Sequence, residues 1–288
     1  MTKGLDTLVE DVYALFDSET THTVDEKNLD DFCTNLKDLI RSRLSASHRS
    51  EGEGVLRFSS LGRSDRQLWY MANRAGEGEV LSGKTSLKFM YGDVIEQLLL
   101  LLVKEAGHSV EREQEEIEVD GVKGHIDAII DGVTVDVKSA SPHAFPKFSK
   151  GTLFDDDPFG YISQISGYAS TLTPDQGGAF LAMDKVHGDL AVLRVGPTIT
   201  NSMDVGGRIA HLREAIKNEE PPPRCHPDEP DGQSGNRKLS TQCSYCPFKF
   251  DCWKDTNGGR GLRTFMYSGR PKFLTVVKRE PNVAEVPQ

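Results

Sequence analysis

Apolar residues along this chain follow more than one period, and each period predicts a different element. Over residues 1–50 they recur at helical spacing, as Leu5, Leu8, Val9, Val12, Leu15 and Phe16, then Leu29, Phe32, Leu36, Leu39, Ile40 and Leu44. Two amphipathic helices are expected there, followed by a polar linker over 45–54. Cys33 falls within the second stripe and is expected to be a buried thiol. A long helix is expected near 87–105, and within it GDVIEQLLLLLV over 92–103 is apolar at nearly every position, which predicts a helix hydrophobic all round. Glu96 inside it is costly unless something pairs with it.

Between Gln114 and Ser139 the period drops to two and marks a strand meander. Two of its runs meet at Asp131-Gly132, a strong hairpin signal. In the first run Ile126, Ala128 and Ile130 share one face, with His125 and Asp127 on the other. In the second, Val133, Val135 and Val137 lie opposite Thr134, Asp136 and Lys138. Pairing the runs brings Asp127, Asp136 and Lys138 together above an apolar floor. Two carboxylates beside an ammonium make a hard-oxygen site for a divalent cation, which suits hydrolysis of a phosphodiester. A solvated charged face is the plain alternative. Downstream, Gln164 and Tyr168 lie one turn apart on a helix expected to start with Asp157 as N-cap and Pro158 at its first position. Strands are expected near 179–183 and 190–195, a helix near 203–217, and a helix around 67–70 capped by Ser59 or Ser60. The fold class this predicts is α/β, a mixed central sheet flanked by helices.

In order, the chain carries G-x-x-x-E at 92–96, G-x-x-D at 124–127, D-x-K at 136–138 and Q-x-x-x-Y at 164–168. This resembles the PD-(D/E)XK nuclease superfamily, most closely its RecB-like branch, over roughly residues 56–255. That branch includes phage recombination exonucleases, the AddB nuclease domain and the CRISPR-adaptation nucleases. The chain departs from it in having Glu96 where His is frequent and Asp136 where Glu is common, and both keep an oxygen ligand. The resemblance implies that Glu96, Asp127 and Asp136, with the backbone carbonyl of Val137, hold Mg²⁺ or Mn²⁺. It implies that Lys138 positions water and stabilises charge, and that Gln164 and Tyr168 orient the lysine or touch the DNA backbone. His125 shares a face with Asp127, as a substrate contact or as a structural histidine.

Four of the five cysteines crowd into the last quarter, as Cys225 and then C-x2-C-P-x4-C at Cys243, Cys246 and Cys252. Thiolates in this spacing hold either a [4Fe–4S] cluster or a tetrahedral Zn²⁺. The run looks like the iron–sulfur staple of the AddB and CRISPR-adaptation nucleases. Their fourth cysteine lies upstream, where this chain has Ser64, so Cys225 is the expected replacement, with His226 behind it.

At 288 residues the chain is long enough for a nuclease core with appendages, and no apolar run approaches membrane-spanning length. No signal-peptide pattern opens it, so a cytoplasmic setting is expected. The net charge of −10 is unevenly spread: 258–279 holds six Lys or Arg and no acid. Arg263 and Arg270 interleave there with Phe265, Tyr267 and Phe273, and Arg66 belongs to a second basic set around Trp69-Tyr70. Each set is a DNA track or a solvated surface. The expected organisation is a helical segment over 1–50, a nuclease core over 51–220, a cysteine staple over 221–257 and a basic tail over 258–288. The expected activity is a metal-dependent DNA exonuclease of a viral, recombination or repair setting, with DNA and a recombination or replication protein as partners. The rivals are an endonuclease of the same superfamily and a non-catalytic DNA-binding module.

Overall fold

The computed structural model describes residues 3–17, 21–45 and 56–286. The polar linker expected over 45–54 therefore lies, beyond Ser45, outside the described residues. In chain order the elements begin with α1 (Leu8–Ala14), α2 (Glu26–Ser45), α3 (Asp65–Asn73) and α4 (Gly83–Glu105). The meander follows as β1 (Val110–Glu111), β2 (Glu116–Val119), β3 (Val122–His125), β4 (Ala128–Ile130) and β5 (Val133–Ala140). Then come α5 (Pro146–Ser149), α6 (Tyr161–Leu172), β6 (Gly178–Asp184), β7 (Leu190–Val195), α7 (Pro197–Thr200) and α8 (Val205–Lys217). The last part holds β8 (Glu229–Pro230), β9 (Arg237–Lys238), α9 (Thr241–Ser244), α10 (Lys249–Cys252), α11 (Thr256–Gly259), β10 (Arg263–Tyr267), β11 (Arg270–Val276) and β12 (Glu285–Val286).

The chain forms two compact units, one chiefly of 1–50, 56–62 and 81–210, the other chiefly of 63–80 and 211–288. In the first, five strands lie in the order β1-β4-β5-β6-β7, antiparallel except for the parallel β5–β6 pair, so the sheet is mixed as expected. The β4–β5 register puts Ile130 opposite Val133, leaving a two-residue turn. Asp131 and Gly132 there have φ of 48° and 81°, the left-handed pair of a type I′ turn, whose twist matches the strands it joins. Ala128, Ile130, Val133, Val135 and Val137 pack against Ile95, Leu99, Leu100 and Val103 of α4 and Leu8 and Val12 of α1. On the opposite face Phe180, Ala182 and Ala140 pack with Phe148 of α5 and Ile165 of α6. Both faces of β5 are thus covered, and even its polar Thr134 and Asp136 are buried.

Several local expectations change. Cys33 is exposed, not buried, because α2 has no buried residue along its length. Nor is α4 buried all round: Leu87, Phe89 and Tyr91 of its first half are exposed. Helix α6 starts at Tyr161, not at Pro158. Asp157 still caps it from outside, its carboxylate accepting from the backbone N–H of Tyr161 (2.9 Å) and Ile162 (2.8 Å). Helix α3 begins after Ser64 rather than after Ser59 or Ser60, which fall in a 3₁₀ turn over Phe58–Ser60.

In the second unit the order is β12-β10-β11-β9-β8, all antiparallel. Residues 263–276 are therefore paired strands, built around a small core of Leu239, Trp253, Leu262 and Phe273.

Candidate active site

Three elements deliver the acidic residues. Asp127 sits at the bend between β3 and β4, Asp136 on β5 and Glu96 on α4. The Asp127 carboxylate accepts the backbone N–H of Val137 at 2.6 Å, which ties the bend to the lysine strand. Asp136 is 4% exposed; its Oδ1 accepts from Gln164 Nε2 at 3.1 Å, and its Oδ2 forms an ion pair with the Lys138 ammonium. That Oδ2 still receives no well-directed hydrogen bond. A buried, ion-paired Asp136 excludes the solvated-face alternative for this residue. Among the described residues Glu96 forms no ion pair with a basic side chain; Gln114 Nε2 donates to its Oε1 at 2.6 Å.

The electrostatics are strained in one direction. Burial, reinforced by the charges of Asp136 and Asp93, pushes the Glu96 carboxyl up to about 7. Burial also pushes Asp127 well above the usual carboxylate range, and Asp136 and Glu96 add to it. Burial alone would lower Lys138, but the carboxylates of Asp136 and Asp127 outweigh it and hold the ammonium charged. Three carboxylates thus share one cation in a partly buried setting, an arrangement that further positive charge would relieve.

Gln164, expected to orient the lysine or touch DNA, instead donates to Asp136, and the sequence carried no sign of what holds the two motifs together. Tyr161, one turn before Gln164, sets its ring 4.8 Å from the Lys138 ammonium, a cation–π contact. Tyr168 is buried, with its hydroxyl beside the His125 backbone, and its ring stacks on Phe58 at 4.9 Å. Gly124 explains its own motif: a Cβ there would fall 2.4 Å from Phe58 Cβ and 2.8 Å from the Tyr168 hydroxyl. Only glycine lets the stacked pair approach β3. Beside Glu96 lies a hollow of about 440 Å³ lined by Asn35, Leu39 and Arg43 of α2 together with Asp93, Gln97 and Gln114. An alternation pattern carries no signal for any of these contacts, which depend on long-range packing.

His125 is exposed on β3, with its ring 3.8 Å from Glu116. Among the described residues one group of three potential metal ligands lies within 4.8 Å, namely Asp184, His187 and Asp189. Asp184 is already engaged there, accepting from the N–H groups of Val186 and His187 and meeting the His187 ring at 3.0 Å. Glu96, Asp127 and Asp136 are spread more widely than that.

In the second unit Cys225, Cys243, Cys246 and Cys252 line one small cavity of about 40 Å³ together with Ser64, Arg66 and His226. The sequence grouped these four, and the fold brings them to one place. No three of the thiols lie within 4.8 Å of one another. Burial pushes Cys246 up to about 11 and raises Cys243 as well, so a bound cation would supply the charge a thiolate needs. Arg66 Nε donates to Cys252 Sγ at 3.0 Å, which puts this arginine on the cysteine cluster. Arg263 is held by Glu280 (2.7 Å) and Glu285. Arg270 is exposed at the start of β11, whereas Phe265 and Phe273 are buried and cannot stack on bases.

No family model and no curated protein matches the chain. Two solved structures are similar to it. One, described as SSO0001, is 17% identical over 74% of this chain and 91% of its own, with a TM-score of 0.39. The other, a phage-related exonuclease from Haemophilus somnus 129PT, is 15% identical over 56% of this chain and 92% of its own, also with a TM-score of 0.39. Among the described residues no helix is long and apolar enough to cross a membrane.

Proposed function

We propose that this chain is a metal-dependent deoxyribonuclease that hydrolyses phosphodiester bonds from DNA ends. The observation that carries the reading is the meeting of Glu96, Asp127 and Asp136 with Lys138, where two of the carboxyls are driven well above their usual range. Mg²⁺ or Mn²⁺ held by those three carboxylates and the Val137 carbonyl would polarise the phosphoryl oxygen and acidify a bound water. Lys138 stays charged, so it serves as an electrostatic partner for the charge that builds on the phosphate and not as a base. Gln164 fixes the Asp136 carboxylate, and Tyr161 fixes the lysine from its other side.

The cysteines are read as ligands of a structural [4Fe–4S] cluster. A single tetrahedral Zn²⁺ with bonds of about 2.3 Å needs thiolates about 3.8 Å apart. The four cysteines around one cavity support a shared metal, and the C-x2-C-P-x4-C run favours the cluster over zinc. Thiolate ligands also suit a reducing, cytoplasmic setting. The biological role we assign is DNA processing in recombination or replication, alongside a protein of that machinery.

The test is incubation of end-labelled linear and covalently closed circular DNA with Mg²⁺ or with EDTA. Linear DNA should be degraded only with Mg²⁺ and circles spared, and Asp136→Ala or Lys138→Ala should abolish cleavage. Nicking of circles at the rate of linear loss would make the protein an endonuclease, and full activity in either variant would refute the site.

A further inference from the structure

Charged groups of alternating sign line up where α1 meets the core, and the cleavage chemistry uses none of them. Lys3 meets Asp11 of α1 at 3.2 Å, and Asp11 Oδ2 in turn lies 3.2 Å from His108 Nε2. On the other side of the ring, His108 Nδ1 lies 2.6 Å from Asp131 Oδ2 in the turn between β4 and β5. The His108 side chain is wholly buried and that of Asp131 nearly so, whereas Asp11 and Lys3 reach solvent. The frame around the ring is fixed. The His108 backbone N–H donates to the Val103 carbonyl of α4, and the second Asp131 oxygen accepts the Ser109 N–H at 3.0 Å. Thr7 donates at 2.8 Å to the Asp11 oxygen that faces the ring, and Lys3 also reaches the Ala106 carbonyl. Glu111 of β1 lies one step further out, on the Ser109 hydroxyl. Among the described residues His108 forms ion pairs with these two aspartates only.

We propose that His108 is a proton-operated latch on α1, closed while the imidazole is charged and loosened when it is neutral. Both ring nitrogens face carboxylate oxygens, and only a ring protonated on both can present a hydrogen to each. With the ring charged, the line balances two cations against two anions. Loss of one proton leaves two carboxylates against one ammonium and turns a nitrogen lone pair toward Asp11 in a buried setting. The Nε2–Asp11 contact has no well-directed hydrogen bond, so charge is what holds it. That attraction is present at low pH and is lost as the pH rises through the histidine range, roughly 5 to 8. Asp11 keeps its charge throughout, since the Thr7 hydroxyl and Lys3 hold its carboxyl below the ordinary value. Leu5, Leu8 and Val12 remain buried in the core, so deprotonation does not expel α1 but lets it open more often. The effect reaches the hairpin that carries Asp136, because Leu8 and Val12 pack with Val133 and Val135 and the latch itself ends on that hairpin's turn.

The test is hydrogen–deuterium exchange of the full chain in EDTA at about pH 6 and about pH 8.5, with rates corrected for intrinsic exchange. Helix α6 serves as the internal reference, because the ionisation of Glu96 and Asp127 changes global opening as the pH rises. Relative to α6, the amides of α1 should exchange at least about tenfold faster at the higher pH, the factor for one unit of proton linkage. His108→Gln should abolish that difference and leave α1 open at both pH values. Asp11→Asn should abolish it as well, since a neutral amide meets a neutral ring without repulsion. Asp11 is partly exposed, so this variant decides alone if His108→Gln fails to fold. Nitrogen-15 NMR of the wild type near pH 6 should show the His108 ring protonated on both nitrogens. A singly protonated ring in the folded protein at that pH overturns the inference. So does a pH dependence of α1 that survives either substitution, or α1 exchange that follows α6 at both pH values.

Discussion

Glu96 gives the sharpest prediction, because the fold makes its ionisation expensive. Burial comes first, and the carboxylates of Asp136 and Asp93 add to it, so the carboxyl sits at about 7 instead of 4.5. The unfolded chain releases that proton near the ordinary value. Across the window from 4.5 to about 7 the folded state therefore binds more protons than the unfolded one, and stability falls as pH rises. The loss from this one group is about 3 kcal/mol once the window has been crossed. Asp127 is displaced in the same direction and adds to the slope. A divalent cation favours the ionised form and should therefore stabilise the protein more at about pH 8 than at about pH 5. Thermal unfolding of wild type and Glu96→Gln in EDTA isolates the group. The two should melt together near pH 5, and the variant should melt higher by roughly 5–10 °C near pH 8. Adding Mg²⁺ near pH 8 should raise the wild type more than the variant. A difference between the two proteins that does not change with pH would refute the reasoning.

Two further outcomes test the supports of the site. Gly124→Ala should destabilise the protein by about 1–3 kcal/mol, since the added methyl overlaps Phe58 and the Tyr168 hydroxyl. Chemical denaturation reads it, and unchanged stability would mean the close packing there is not real. Cys246→Ser should release metal and lower the melting temperature. Anaerobically purified wild type should be brown, whereas about one zinc per chain in a colourless protein would exclude the cluster.

The hairpin was legible in the sequence because its information is local. Alternation sets the faces of β5, and Asp131-Gly132 supplies the two positive φ angles that fix the register. That Gln164 and Tyr168 share a helical face was legible for the same reason, but that Gln164 meets Asp136 was not. What escaped depends on partners far away in the chain. The basic run over 258–279 contains no acid, yet Arg263 is neutralised by Glu280 and Glu285 and Lys272 by Asp231, all outside that window. Cys33 sits in an apolar stripe, but α2 packs too shallowly to bury it. Gly124 reads as a motif letter, and its physical reason appears only once Phe58 and Tyr168 are seen stacked against it.

The second unit is split in the chain: 63–80 must wait for 211–288, with the 130 residues of 81–210 in between. Arg66 belongs to the early piece and Cys252 to the late one, as do Trp69 and Tyr70 on one side and Phe248 on the other. A ribosome adding about 5–20 residues per second takes roughly 6–26 s to cross that interval. For all of that time Tyr70 lacks the Phe248 ring it stacks on, and a chaperone has something to hold. The cysteine cavity closes only after Cys252 has been made, so any metal it takes up would have to follow that point. A product truncated before Cys243 lacks Phe248, so Tyr70 loses the ring it stacks on and the product should aggregate or be degraded.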